Sequence, residues 1–345
     1  MWGDRAERAR REIAALAARA PGVPDLHAAV LDVVHRTVPF EQACWAAVDP
    51  RTLMMTAVTN HPPWPVPAED AARFAESEYA GTEPNTFAQL SLRNVPVARM
   101  SDAPHRDVVR SVRLNELLRP RGLEHELRAA FLVDDTCWAV GGLFRGPCGD
   151  FTDREVEFLS AIAAPLAAAT RIAVRARGRS QRGVDGPVIV LAGPGGELRA
   201  ATAAAASWLA ELDEAAPGRF TVTLHAVVAG ARTAPCGTAR TLMRDVGEGW
   251  VVLQASRLIT GDDPDQMVIT VAPATAGEVV RLLLTAYGAT AREQDVCFEV
   301  LSGRSTAEIA GRLFISPHTV QDHLKALFEK VGVRSRGELV AKLQP

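Results

Sequence analysis

The sequence predicts a multi-domain α+β chain: two mixed α/β blocks in series, followed by a small all-α block of four helices. Three observations carry this. Paired β-rich runs flanked by helical patterns occur once before residue 175 and again after 187. Four helix starts crowd the last sixty or so residues, each marked by a hydroxyl side chain. A basic, glycine-containing stretch, Arg175 to Gly183, and a helix stop at Tyr287-Gly288 divide the blocks. The expected organisation is 1–177, a linker at 178–186, 187–286 and 287–345.

In the first block, helices expected at Arg5 to Ala20 and Asp25 to Thr37 lead into a hairpin, Ala43 to Val48 and Thr52 to Thr59, turning at Asp49-Pro50-Arg51. A polar region around Ala68 to Ala80 and a helix near Asp107 to Leu118 follow. A second hairpin pairs Glu126 to Val133 with Cys137 to Phe144. The block closes on a long helix opened by Thr152-Asp153-Arg154-Glu155, with Leu159, Ile162, Leu166 and Ala173 on one face. Helices around an antiparallel sheet that end in a long helix, with Phe151 to Leu159 as the most specific segment, resemble a GAF sensor domain over residues 5 to 177. The resemblance implies a small-molecule pocket on one sheet face. Trp45, Phe131 and Trp138 read first as core and second as pocket-lining candidates.

The second block reads as strand (Val188 to Leu191), turn (Gly193 to Gly196), strand (Glu197 to Ala200) and helix (Ala203 to Leu209). Strands then return at Thr238 to Arg244, Trp250 to Leu258 and Met267 to Ala272. This order resembles a PAS domain. The glycines at 193, 195 and 196 lack the GxxxxGK[ST] pattern of a phosphate loop and lead into a strand, so a β-turn is expected.

In the last block Thr290-x-x-Glu293, Ser305-x-x-Glu308 and Ser335-x-x-Glu338 are capping boxes. Ser316-Pro317-His318-Thr319 is the exception, with threonine where the others carry glutamate. A carboxylate there would repel an approaching phosphate, whereas a hydroxyl leaves the positive end of the helix dipole available. At 100° per residue, Val320, Leu324, Leu327, Phe328 and Val331 form an inward stripe. His318, Gln321, Asp322 and Lys325 fall on the opposite side, and Thr319, His323 and Lys330 on the flank. Polar side chains at the front of such a helix suit base edges in a major groove. From Arg304 to the end the charge is +3, on a chain of net −3.

These residues carry a further resemblance. Thr290-x-Arg292-Glu293, Ile309-Ala310-x-x-Leu313, Ile315-Ser316-x-x-Thr319-Val320-x-x-His323 and Lys330-x-Gly332-Val333-x-Ser335-Arg336 are similar to the LuxR-type domain, with the helix-turn-helix at about 306–325. The resemblance implies double-stranded DNA bound in the major groove by a homodimer, with Ser316 capping the reading helix. It also implies that Thr319, His323 and Lys330 serve phosphates while Gln321, Asp322 and Lys325 face the groove beside His318. A small-molecule effector and, for an activator, RNA polymerase are further expected partners. Two alternatives stand beside a sensor-controlled regulator: a ligand-independent regulator whose front blocks dimerise or bind a protein, and an enzyme with a DNA-binding tail.

Catalysis is not expected, since GxSxG, HExxH and paired Cys/His spacings are missing from the sequence. The Asp134-Asp135 pair after an apolar run superficially resembles a phosphoryl receiver site, but lies in a hairpin turn. His27 and His35 could share a helix face without further ligands, and five scattered cysteines suggest reduced thiols, so neither metal nor cofactor is expected. The apolar stretch Phe158 to Val174 is interrupted by Pro165 and Arg171, and the start of the chain lacks a signal-peptide pattern. A cytoplasmic protein is the expectation.

Overall fold

The computed structural model describes residues 2–17, 22–63, 67–175, 186–193, 196–215, 218–247, 249–258 and 266–343. Two compact units result, Met1–Pro273 and Ala274–Pro345. The expected linker at 178–186 lies almost wholly outside the described residues.

The first unit opens with helices α1 (Trp2–Ala17) and α2 (Val23–Thr37), then strands β1 (Gln42–Val48) and β2 (Met55–His61). Asp49 shapes the turn between the strands by accepting the Arg51 N–H, and Leu53 takes a left-handed φ of 56°. The polar region at 68–80 is in fact a helix, α3 (Ala68–Tyr79). Its inward positions are Ala71, Ala75, Ser77 and Glu78, too small or polar to print an apolar stripe. After α4 (Phe87–Ser91) and β3 (Val97–Arg99), the helix expected near 107–118 is split into α5 (His105–Arg110) and a π-helical segment, Arg113–Leu118. Strands β4 (His125–Val133) and β5 (Thr136–Arg145) turn at Asp134 and Asp135, both at positive φ, as in a type I′ hairpin.

The capping box at Thr152 opens α6 (Asp153–Val174), which buries Leu159, Ile162 and Leu166. By length and composition α6 could cross a membrane, yet half of its apolar window is buried, and it packs on β4 and α1 as a core helix.

The first sheet is antiparallel throughout in the order β2-β1-β5-β4-β3. Trp45 on β1 lies opposite Gly141 on β5, where a Cβ would fall 2.1 Å from the indole. Glycine there makes room for the ring. Trp45, fully buried, also meets Phe131 at 4.8 Å and His27 edge-on at 6.2 Å between ring centroids. His27 in turn reaches Thr170 of α6 at 3.1 Å.

The other face of this sheet holds buried charge. Arg128 donates to Glu78 and Glu126, and Arg113 donates to Glu126 at 3.0 Å while standing 3.8 Å from Glu83. The Arg128 guanidinium also lies 3.8 Å above the Phe87 ring. Burial raises the Glu78 carboxyl above its usual range despite both arginines.

A second sheet follows in the same unit: β6 (Val188–Ala192), β7 (Leu198–Ala201), α7 (Ala203–Ala215), α8 (Arg219–Thr233), β8 (Thr238–Arg244), β9 (Trp250–Arg257) and β10 (Met267–Pro273). Its order, β7-β6-β10-β9-β8, repeats that of the first sheet, again antiparallel. The expected turn between β6 and β7 is present in its described residues: the Gly196 N–H donates to Gly193 O, with Gly196 at φ 82°. The sequence pattern does not announce α8. Residues 222–231 are all buried, Thr223 and His225 included, so this stretch has no exposed polar face and no periodic pattern to betray it. It packs on α3 and β2 on one side and on β8 and β9 on the other. Val222 joins the core of the first sheet, whereas Leu224, Val227 and Val228 join that of the second.

The second unit comprises α9 (Ala276–Ala286), α10 (Ala291–Leu301), α11 (Thr306–Leu313), α12 (Pro317–Val331) and α13 (Arg336–Leu343). The sequence reading placed 276–286 with the central block. In the structure Val280 and Leu284, one turn apart on α9, enter the same core as Val296, Ile309, Leu324 and Leu339.

Candidate nucleic-acid interface

Each helix of the second unit is fixed at its start by a side chain. Thr290 and Ser305 form reciprocal boxes with Glu293 and Glu308. At α13 the box is shifted: Ser335 accepts the Glu338 N–H at 3.2 Å, but the Glu338 carboxylate takes the Arg334 N–H, one residue earlier than expected. The turn between α11 and α12 is made by Phe314, in the left-handed region at φ 54° and 94% exposed as a residue.

Ser316 caps α12. Its Oγ accepts the Thr319 N–H at 3.0 Å and meets Thr319 Oγ1 at 2.9 Å, and the first turn carries no carboxylate. Pro317 has no N–H and those of Thr319 and Val320 are bonded to Ser316, so the His318 N–H is left at the positive end of the helix dipole without a carboxylate in its turn. Val320, Leu324, Leu327 and Val331 are buried, with Phe328 partly so. The structure brings His318, Gln321, Asp322 and Lys325 together on the exposed side and leaves Thr319 and His323 half-buried on the flank.

The candidates differ in what already holds them. His318 stands 3.7 Å from Asp322, a turn away, and both side chains are exposed. Gln321 makes a long contact, 3.4 Å, to the Thr306 hydroxyl. Lys325 has no ion pair or hydrogen bond among the described residues, so its ammonium is available to an outside anion. Lys330 is different: its ammonium sits 2.7 Å from Glu293 of α10. Burial pushes the Glu293 carboxyl up, but hydrogen bonds from Lys330 and from the Thr290 N–H outweigh this and hold it below the usual carboxylate range. Arg304 and Arg312 are both tied to Glu299.

One brace escaped the sequence reading. Arg336 donates to Thr306 Oγ1 at 2.7 Å and to Arg304 O at 3.1 Å, clamping α13 to the start of α11 beside Gln321. An arginine two residues before an acidic cap residue gave no signal that it would reach back thirty residues.

Trp45 and Phe131 lie in closed packing of the first sheet with α2, and Trp138 is buried. Among the described residues no group of three His, Cys, Asp or Glu side chains is arranged for a metal ion.

Comparison with known proteins places this geometry. The model of the luxR family of bacterial regulatory proteins matches residues 289–343. The spore germination protein GerE of Bacillus subtilis is 39% identical over 54 residues, 16% of this chain and 73% of that protein. The transcriptional regulatory protein NarL of Mycobacterium tuberculosis is 40% identical over 53 residues, 15% of this chain and 24% of its own length. An HTH-type transcriptional regulator of Mycobacterium bovis is 49% identical over 51 residues, of whose length the chain spans only 6%. The solved phage VqmA–DPO complex aligns over 45% of this chain and 81% of its own at 19% identity, with a TM-score of 0.23, too low to speak for the fold. Through the helix-turn-helix of its second unit, the chain belongs to the luxR family of bacterial regulatory proteins.

Proposed function

We propose that this chain is a cytoplasmic, homodimeric transcription regulator that reads specific double-stranded DNA with α12 in the major groove, under the control of its first unit. The observation that carries the reading is the outward face of α12: His318, Gln321, Asp322 and the unpaired Lys325 beyond a buried stripe, over a helix start stripped of carboxylates. In this reading Gln321 pairs with adenine and Asp322 accepts from cytosine, while Lys325 reaches guanine or phosphate. Ser316, Thr319 and His323 meet the backbone. Lys330, engaged by Glu293, supports the helix and contacts phosphate only by exchanging that partner. The repeated five-stranded order, with helices placed between the second and third strands, supports reading the first unit as GAF-like and PAS-like sensor modules in tandem.

The test is selection of bound sequences from random duplex DNA by the full chain. Lys325→Ala should weaken binding to the selected site by about 1–3 kcal/mol if it reads a base, and flatten the salt dependence if it meets phosphate. Equal affinity, base preference and salt slope for the variant would remove Lys325 from the interface.

A further inference from the structure

We infer that the first unit holds a site for a small, uncharged, mostly apolar effector in the cavity between α3, α7 and α8, a site that deepens the proposed sensor-controlled regulation and rests on that reading. The cavity measures about 570 Å³, within the range of roughly 300–1,000 Å³ usual for small-molecule sites. Its walls are apolar: Leu209 on α7, Leu224 and Val228 on α8, and Ala72 across from them on α3, with Ile269 of β10 as floor.

Two uncharged polar side chains, Thr221 and His225, are set into that lining, and His225 is the more buried. His225 of α8 is only 7% exposed and lines the cavity, yet its imidazole has no hydrogen-bond partner among the described residues. A largely buried imidazole without a protein partner offers a ligand one hydrogen bond in apolar surroundings. Gly196 packs against the ring so closely that a Cβ would lie 2.9 Å from Nδ1, and its positive φ keeps a side chain out of that corner. Burial, with Arg232 nearby, lowers the His225 pKa to about 4, leaving a neutral ring able to accept or donate one hydrogen bond.

The rim sets the charge of the ligand. Glu69, Glu197 and Asp213 line the opening, whereas no cationic side chain does among the described residues. Glu69 and Glu197 are paired with Arg73 and Arg199 outside the lining, and Asp213 accepts the Gly218 N–H at 3.0 Å, so the lining offers an anion no cationic partner and a cation no unshared carboxylate. An uncharged ligand with an apolar body and one hydrogen-bonding group is the chemistry that fits.

Two dyes of one scaffold test this on the full-length chain: N-phenyl-1-naphthylamine, uncharged with a single N–H, and its 8-sulfonate, an anion. Saturable one-site fluorescence enhancement is expected for the uncharged dye, with the sulfonate about tenfold weaker. His225→Leu keeps the bulk and removes the hydrogen bond, and should weaken the uncharged dye about three- to tenfold. Ala72→Trp and, separately, Leu209→Trp fill the cavity from opposite half-buried walls, and each should abolish the enhancement while circular dichroism and selection of DNA persist. Absence of one-site binding to the native chain overturns the site, as does unchanged binding in either tryptophan variant or equal binding of the sulfonate. Because DNA selection is read separately, loss of the site and loss of the regulator reading are distinguishable.

Discussion

Replacing Arg128 with methionine should destabilise the first unit by about 3–5 kcal/mol, the usual cost of removing one partner from a buried ion pair. The side chain is 1% exposed and joins two carboxylates that are buried to a similar degree, Glu78 at 3% and Glu126 at 1%. Methionine preserves most of the stacking over Phe87 but leaves three buried carboxylates, Glu78, Glu83 and Glu126, facing the single guanidinium of Arg113. For a unit of this size each kcal/mol moves the melting point by about 2–4 °C, so scanning calorimetry of the full chain should show a fall of about 6–20 °C. The double variant Arg128→Met/Glu78→Gln should regain at least half of the loss, because the uncompensated charge is removed while the amide can still accept the Phe87 N–H. The sign of the pH dependence follows from Glu78, whose folded pKa already lies above its ordinary value and rises further without Arg128. The folded state then holds a proton that the unfolded state has released. The single variant should therefore be least stable above the folded pKa of Glu78 and recover as the pH falls through it. A melting-point loss below about 2 °C, or a double variant no better than the single, would refute the account of this cluster as paired charge.

Other consequences are equally measurable. Gly141→Ala drives a Cβ to within 2.1 Å of the Trp45 indole, so the first unit should lose about 1–3 kcal/mol in denaturant melts, with a change in tryptophan emission; native stability would show that the sheet can open there. Ser316→Ala removes the cap of α12 and should cost the second unit about 1 kcal/mol, whereas Ser316→Gly should cost only a few tenths. Lys330→Met frees Glu293, whose folded pKa is depressed. The stabilisation from that pair is present above the unfolded carboxylate pKa and lost as the pH falls through the folded one, so native and variant chains should differ at neutral pH and converge in acid.

What the sequence disclosed follows from how local each cause is. Caps at Thr290, Ser305 and Ser316 act over three residues, and the stripe from Val320 to Val331 repeats with the helix turn, so the second unit was legible almost element by element. The hairpins announced themselves by short polar turns at Asp49 and Asp134. α3 was hidden because it buries alanine, serine and a paired glutamate, and α8 because it buries every side. The charge cluster had one faint trace, Glu126 and Arg128 two apart on an otherwise apolar strand, which alternation places on the same face. Its other members, Glu78, Glu83 and Arg113, are brought in by tertiary folding alone.

The helix without an outward side has a consequence for how this protein can be taken apart. α8 follows the linker in sequence, yet it lends Val222 to the sheet that precedes the linker and receives Met54 from it in the second core. Severing the chain at 178–186 would give two fragments with complementary wounds, each insoluble alone and each the natural chaperone of the other when co-expressed. A cut after Pro273 leaves both of those cores whole. Gene fusions that keep the reading head and exchange the front should therefore tolerate a junction at 273, and fail when only the first half of that front is replaced.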